Sequence, residues 1–235
     1  MHVVSLMAHQ DDEMQCLGTL LKYHARGDQI HFITLTDGAR GFVQQPDIDP
    51  AEAAHIRHTE MLSVAQCLDA DYINLNEPDE FLYDTQDVRM KVIEAIRQTS
   101  ADVIFTHYHE DYNLDHTTVS SLVRHCAMQA YLPVLPTETT PLSNHPAVFM
   151  VCPHGVFIFP ATHFVDISEF EDEKVSVLKH HRSQETAMQQ AVGAGFDGLC
   201  RRLDAYWGQQ VGCTYAEGYV PMRGRGSIKP FPVLP

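Results

Sequence analysis

The amino-acid sequence predicts an α/β fold, a Rossmann-like three-layer sandwich in which helices cover both faces of a mostly parallel sheet. Strand signals alternate with helix signals from residue 2 onward. Repeated strand–helix–strand crossovers require parallel strands. Polar residues follow two of these strands directly, at the edge where such sheets bind ligands. The expected strand order is 3-2-1-4-5, with further strands and a helix as a C-terminal extension.

The first half of the chain shows four strand–helix pairs. Alternating apolar runs mark the strands, apolar residues at helical spacing mark the helices, and Asp49-Pro50-Ala51-Glu52 reads as a capping box with Pro at the first helical position. The predicted elements are strand 1 over 2–7, helix A from Met14 to a stop at Gly27, strand 2 over 30–35, helix B from 49 to about 68, strand 3 over 72–75, helix C around 88–96, strand 4 over 103–106 and helix D around 119–130.

The second half is less regular. Four prolines within residues 132–146 predict an exposed loop. Three later runs, 148–151, 157–159 and 164–167, are predicted to be strands, with antiparallel pairing open. Ser168-Glu169-Phe170-Glu171 reads as a second capping box that opens one helix to about residue 190.

Length and composition limit the possible functions. We expect the 235 residues, 44% of them hydrophobic, to form one domain over residues 1–235. No apolar run approaches the ~20 residues of a membrane span. The start lacks a basic signal-peptide region and the six cysteines form no C-x-x-C pair, which favours a cytoplasmic protein with reduced thiols. The formal net charge of -15 weighs against binding to nucleic acid or anionic membranes.

Residues able to perform catalysis follow strands 1 and 4, which the expected strand order makes neighbours. Strand 1 leads into Ala8-His9-Gln10-Asp11-Asp12-Glu13, and strand 4 leads into a loop with Asp111, Asn113, Asp115 and His116. Two histidines and one carboxylate, with a position left for water, are the ligands of a catalytic zinc ion. Two alternatives stay open: helix capping by the two aspartates, and a Mg²⁺ phosphotransfer site, against which the imidazoles argue.

The segment 8–13 resembles the A-H-P-D-D-E signature of the PIG-L/LmbE family of zinc-dependent N-deacetylases, and Asp115-His116 resembles the end of that family's H-P-D-H motif. Further similar segments are Leu35-Thr36-Asp37-Gly38, Arg57 with Glu60, His181-Arg182-Ser183-Gln184 and Tyr215-Ala216-Glu217-Gly218-Tyr219. The resemblance implies a Rossmann-like fold and hydrolysis of an N-acetyl group from an amino-sugar-containing small molecule.

The resemblance also implies roles for individual residues. His9, Asp12 and His116 would hold Zn²⁺, or Fe²⁺ or Co²⁺ in the same site. Asp11 would be the general base, and Asp115 would orient its neighbours. The expected substrate-binding residues are Arg57, Asp37 and His109.

Two positions depart from the family pattern. Gln10 replaces a proline that shapes the loop. Asn113 replaces the first histidine of H-P-D-H, and asparagine can donate a hydrogen bond to an oxyanion but cannot deliver a proton near neutral pH. The proton for the leaving amine would then return from Asp11, or come from the imidazole of His109 or His154.

Structural roles compete with functional ones at several positions. Arg57 and Glu60 could form a surface ion pair, Asp37 could form a turn, and Glu217 could order the C-terminal segment. Packed positions are expected for His107 and Trp207, the latter in the core or a subunit interface, and solvated positions for His180 and His181.

The sequence therefore predicts a cytoplasmic, zinc-dependent N-deacetylase. The alternatives are a zinc amidase acting on a larger acyl or thiol-conjugate amide, and a non-catalytic metal- or sugar-binding protein of the same fold. The loops 38–49, 77–86 and 131–146 are expected to border the pocket. A homo-oligomer is compatible with the sequence.

Overall fold

The structure is a computed structural model that describes residues 1–154 and 157–223. Within these residues, seven strands form one sheet in the order β3-β2-β1-β4-β5-β7-β6. Strands β1 to β5 are parallel, whereas β7 pairs antiparallel with both β5 and β6. The predicted fold class and the order 3-2-1-4-5 are confirmed. The strands are β1 (His2–Met7), β2 (Gln29–Thr36), β3 (Asp71–Glu77), β4 (Val103–Thr106), β5 (Ala147–Val151), β6 (His163–Asp166) and β7 (Ala216–Pro221).

Helices cover both faces of the sheet, which makes the three layers. Because side chains alternate along a strand, Val3 and Met7 of β1 pack into one core while Val4 and Leu6 pack into the other. A short 3₁₀ helix, Asp12–Gln15, precedes the first α-helix. The α-helices are α1 (Leu17–Ala25), α2 (Pro50–Cys67), α3 (Gln86–Gln98), α4 (Leu114–Gln129), α5 (Glu171–Leu178), α6 (Arg182–Val192) and α7 (Phe196–Val211).

The capping signal at the start of α2 was predicted correctly. The Asp49 carboxylate accepts the backbone N–H groups of Ala51 at 2.9 Å and Glu52 at 3.2 Å, and Pro50 occupies the first helical position. These bonds satisfy donors that a helix leaves free at its N-terminus. The helix therefore begins where the local sequence places it.

Two predictions for the second half were wrong. Residues 157–159 form no strand: Ile158 is 85% exposed, and Pro160 has no N–H to donate to a sheet. The predicted helix over 168–190 is two helices, α5 and α6, separated by a turn at residues 179–181. Ser168 does not cap α5, because its hydroxyl donates to Asp166 instead. Strand β7 and helix α7 were not predicted as elements.

The C-terminal strand β7 is tied to the first helix through a buried carboxylate. Glu217 accepts the backbone N–H groups of Gly18 at 2.9 Å and Thr19 at 2.7 Å, at the N-terminus of α1. It also receives the Lys174 ammonium at 2.8 Å and the Tyr219 hydroxyl at 2.8 Å. Glu217 thus orders the C-terminal segment, which is the structural role considered for it from the sequence.

Several smaller expectations can be compared with the described residues. Trp207 is buried and packs against Phe159 and Phe164, so its ring belongs to the core. All six cysteines lie in the described ranges and none is bonded to another. Across residues 1–154 and 157–223, no helix combines the length and apolar character needed to cross a lipid bilayer.

Candidate metal and catalytic site

Loops that follow β1, β4, β3 and β5 meet at the carboxyl edge of the sheet and surround a cavity of about 510 Å³. Strand β1 pairs directly with β4, which brings the loops of His9 and His116 together, as the strand order predicted. The cavity is lined by His9, Asp11, Asp12, Asn113 and His116 among others.

The three predicted metal ligands converge at one end of this cavity. Nδ1 of His9 lies 3.2 Å from Nε2 of His116. The Asp12 carboxylate lies 3.3 Å from each of these nitrogens. One ligand atom from each of the three residues lies within 4.8 Å of the other two. Two imidazoles and a carboxylate at this spacing form a donor set suited to zinc or a similar transition metal.

The hydrogen-bond partners of the rings show that this donor set fits a cation. Nδ1 of His116 lies 3.0 Å from Oδ2 of Asp111, which assigns the proton to Nδ1 and leaves a lone pair on Nε2. Nε2 of His9 lies 3.1 Å from the Asp79 carboxylate and 3.4 Å from that of Asp115 without a well-aligned hydrogen bond to either, and these negative charges favour a proton on Nε2 and a lone pair on Nδ1. Nδ1 of His9 and Nε2 of His116, 3.2 Å apart, can therefore share a proton, or both can bind a cation that replaces it.

Electrostatics favour positive charge at the same point. Burial lowers the pKa of His116, but the Asp12 and Asp111 carboxylates outweigh it and raise that pKa to about 9. Burial raises the pKa of the Asp12 carboxyl, yet the adjacent His116 holds it well below its usual range. Asp12 is therefore ionised at neutral pH, and either a proton or a metal ion must balance it.

His107 has a packing role beside the metal ligands. Its ring stacks on His116 at 4.0 Å between centroids, and its Nε2 accepts the Ala8 N–H at 3.0 Å. Burial, together with the neighbouring His116, lowers the pKa of His107 to about 4. A neutral ring whose Nε2 accepts a backbone N–H matches the packed histidine expected from the sequence.

Asp11 lies beside the ligands in a strained backbone conformation. Its φ is 112°, and its N–H donates to Oε2 of Glu13 at 2.9 Å. The side chain caps no helix; instead Oδ1 receives Nη2 of Arg57 at 3.0 Å. Burial raises the pKa of the Asp11 carboxyl, with Arg57 opposing the shift. A raised pKa and a position on the cavity wall suit a general base.

Arg57 is a buried residue of α2 that positions Asp11. Its Nη2 donates to the carbonyl of Gln10 as well as to Asp11, while Nε and Nη1 have no hydrogen-bond partner among the residues that the structure describes. The ion pair with Glu60 considered from the sequence is not formed. Glu60 instead accepts the N–H of Ser183 at 2.8 Å and its hydroxyl at 2.7 Å, at the start of α6.

The start of α4 fixes Asn113 and Asp115. Oδ1 of Asn113 accepts the N–H groups of Asp115 at 2.8 Å and His116 at 3.4 Å, so this side chain is the N-cap of α4 and its amide group lines the cavity. The Asp115 oxygens accept the N–H groups of Glu80 at 2.8 Å and Leu82 at 3.1 Å. Asp115 thus holds the loop after β3 against His9, as an orienting residue.

Two predicted substrate-binding residues lie away from the cavity wall. Oδ1 of Asp37 accepts the N–H groups of Ala39 at 3.0 Å and Asp79 at 3.3 Å, which is a turn-forming role. His109 is partly exposed and its ring lies against Tyr108 at 4.1 Å. His154, the other imidazole considered for proton delivery, does line the cavity.

Sequence reasoning missed three residues that support the site. Asp111 was placed in the loop after strand 4 but given no role, and Asp79 lies within the loop 77–86, which was expected to border the pocket without a role for any single residue. A carboxylate directly after a parallel strand was the available signal for Asp79. His181 was predicted to be solvated, which is wrong. It is fully buried, and its Nε2 lies 2.6 Å from Oε1 of Glu13, so α6 is anchored to the segment that follows β1.

Comparison with known proteins agrees with this geometry. The profile of one family, PIG-L (GlcNAc-PI de-N-acetylase), matches residues 4–127, slightly more than half of the chain. The curated proteins yielded no match.

Several solved structures share the fold. N,N'-diacetylchitobiose deacetylase from Pyrococcus horikoshii is 21% identical, with a TM-score of 0.81 over 93% of this chain and 82% of that chain. A conserved protein from Thermus thermophilus is 28% identical, with a TM-score of 0.79 over 100% and 96%. A 4-carboxy-2-hydroxymuconate hydratase from Pseudomonas putida is 19% identical, with a TM-score of 0.81 over 98% and 100%.

Proposed function

Because the chain belongs to the PIG-L (GlcNAc-PI de-N-acetylase) family, we propose that it is a zinc-dependent hydrolase that removes an N-acetyl group from an amino-sugar-containing small molecule. One observation carries the proposal: Nδ1 of His9, Nε2 of His116 and the Asp12 carboxylate converge within about 3.3 Å of one another, next to Asp11 in the same cavity. Fe²⁺ or Co²⁺ would suit the same ligands.

The side chains around this site have separate roles in amide hydrolysis. A zinc ion bound by His9, Asp12 and His116 would supply a Lewis acid that acidifies water and polarises a carbonyl oxygen. Asp11 accepts the proton of the attacking water, since its carboxyl lines the cavity and its pKa is raised. The amide N–H of Asn113 donates to the developing oxyanion, because the N-cap bonds occupy only its Oδ1.

The far wall of the cavity supports a substrate larger than a free amino sugar. Helices α6 and α7 contribute Ala187, Met188, Val192 and Leu199 to it, and Val43 lines the cavity as well. Val192 and Val43 are 63% and 71% exposed, so both present apolar surface to the mouth. A conjugate with an apolar group beyond its acetamido sugar would bury this surface. The same space would accept a longer acyl chain in the amidase alternative.

Addition of water to an unsaturated carboxylate is a second candidate function. Asn113 cannot protonate a leaving amine, and two arginines, Arg40 and Arg57, are among the residues that line the cavity. Arginine suits the planar carboxylates of such a substrate. The hydratase from Pseudomonas putida shares this fold over nearly the whole of both chains.

The deciding experiment measures acetate release by the zinc-loaded protein from N-acetylglucosamine and its alkyl and aryl glycosides. We expect release by the wild type, most rapidly from the glycosides with apolar groups, and a loss of about 10²-fold or more in Asp11→Asn. Glu110→Gln, which changes an exposed carboxylate in the loop after β4, is the matched control and should retain activity.

Each other outcome supports a different function. Release of a longer acyl group without acetate favours the amidase, and hydration of an unsaturated dicarboxylate favours the hydratase. Metal binding with no turnover of any substrate favours a binding protein. If Asp11→Asn releases acetate as fast as the wild type, Asp11 is not the base.

A further inference from the structure

We propose that His154 is the catalytic residue that protonates the departing amine, in the position left without an imidazole by Asn113. This inference rests on the proposed N-deacetylase function. An amide nitrogen leaves as a neutral amine only if it gains a proton while the C–N bond breaks. Asn113 carries no acidic proton, and its Oδ1 is held by two backbone N–H groups at the start of α4.

The sheet topology brings His154 to the cavity that holds the metal ligands. Strand β5 lies parallel to β4, so the chain that leaves Val151 opens on the same edge as the loop of Asn113. His154, three residues further on, lines the cavity that also contains Asp11. Among the described residues, the histidines that line this cavity are His9, His116 and His154, and the first two are the proposed metal ligands. His154 is therefore the imidazole there that remains for proton transfer.

The ring of His154 is held by the helix that follows the catalytic loop. Nε2 of Gln15, a buried residue of the 3₁₀ helix Asp12–Gln15, lies 3.4 Å from each ring nitrogen. An amide can serve both protonation states of a histidine, because its NH₂ donates to the neutral ring and its carbonyl oxygen accepts from the imidazolium. Gln15 thus holds the His154 ring at the cavity in both of its protonation states.

The proton transfers balance over one turnover. A water O–H proton passes to Asp11 while the water oxygen bonds to the acetyl carbon. When the C–N bond breaks, its electron pair goes to nitrogen, which takes a proton from the His154 imidazolium. The proton on Asp11 then returns to His154 through solvent. The remaining proton of the water ends on the acetic acid, which gives it through solvent to the amine, so the products are acetate and a protonated amine.

The test compares two acetyl substrates that differ in their need for an acid. His154→Gln should lower kcat/KM for the N-acetyl amino sugar by about 10²-fold or more. It should change kcat/KM for 4-nitrophenyl acetate less than about threefold, because the nitrophenolate leaves without a proton. Asn113→His in the His154→Gln protein should restore at least about tenfold of the amide activity by returning an imidazole.

Controls separate this role from a structural one. His163→Gln, on the exposed edge strand β6, should leave both activities unchanged, and His154→Gln should retain the wild-type zinc content and unfolding temperature. Equal losses on both substrates, or no loss on the amide, would overturn the role of His154 while the proposed function stands. A wild type that hydrolyses no N-acetyl substrate would overturn the proposed function and this role together.

Discussion

Asp111→Ala should weaken metal binding although Asp111 is not a predicted ligand. Oδ2 of Asp111 lies 3.0 Å from Nδ1 of His116, and Oδ1 accepts the Asn113 N–H at 3.0 Å. Removing the carboxylate frees the imidazole to rotate and withdraws the charge that makes it a stronger donor. Such a loss behind a metal-bound histidine typically costs about 10- to 100-fold in metal affinity, or about 1.4–2.8 kcal/mol.

The pKa of His116 sets the pH at which this loss is fully visible. Burial lowers that pKa, but Asp12 and Asp111 raise it to about 9, so a metal ion must displace a proton below pH 9. Wild-type affinity should therefore rise from pH 7 to 9 by up to about tenfold per pH unit for each imidazole proton that the metal displaces, because burial is outweighed at His9 by the Asp115, Asp12 and Asp79 carboxylates, which raise its pKa as well. Without Asp111 the pKa of His116 is lower, so protons compete with the metal only up to a lower pH. The difference in zinc affinity between the wild type and Asp111→Ala should therefore grow towards pH 9.

A chromogenic chelator that competes for Zn²⁺, titrated at pH 7 and pH 9, measures both effects. Glu110→Ala is the matched control, because this neighbouring carboxylate is exposed and lies 4.0 Å from the His109 ring. Equal zinc affinity of Asp111→Ala and the wild type at pH 9 would refute the reasoning, since proton competition no longer masks the lost carboxylate there.

Three further substitutions test the site and the fold. Gly38→Ala should lower kcat/KM by about tenfold or more, because φ is +68° and a Cβ would lie 2.2 Å from Oε1 of Gln10. Gly27 is the control: its φ is +93° but a Cβ would enter open space, so Gly27→Ala should lower the free energy of unfolding in urea by only about 1–2 kcal/mol. Glu217→Gln should lower the free energy of unfolding by about 3–5 kcal/mol, against less than about 0.5 kcal/mol for the exposed Glu173→Gln. Burial raises the pKa of Asp204 to about 8 in the folded protein, so this group's contribution to stability falls by up to about 1.4 kcal/mol per unit between pH 4 and pH 8. Thermal melts at pH 5 and pH 8 should therefore show Asp204→Asn gaining on the wild type as pH rises, and a growing deficit would contradict this.

Local patterns were sufficient for the first half of the fold. Contacts within a few residues determine strand β1, the capped start of α2 at Asp49 and the apolar faces of α3 and α4. Hydrophobic periodicity and capping residues in the sequence predict such local contacts. The predictions for the second half of the chain failed where contacts between residues distant in the sequence decide the structure. The single helix predicted over 168–190 is broken at residues 179–181, where His181 reaches Glu13 across the molecule.

The sequence by itself determined the fold class, the strand order and the two loops that carry His9, Asp12 and His116, because each follows from short-range patterning and the rules of parallel sheets. Only the tertiary structure decided the orientation of those ligands. Asp79 faces the His9 ring from the loop after β3, and β7 enters between β5 and β6 to place Glu217 under α1. These contacts join residues distant in the sequence through side-chain geometry, which no local spacing encodes.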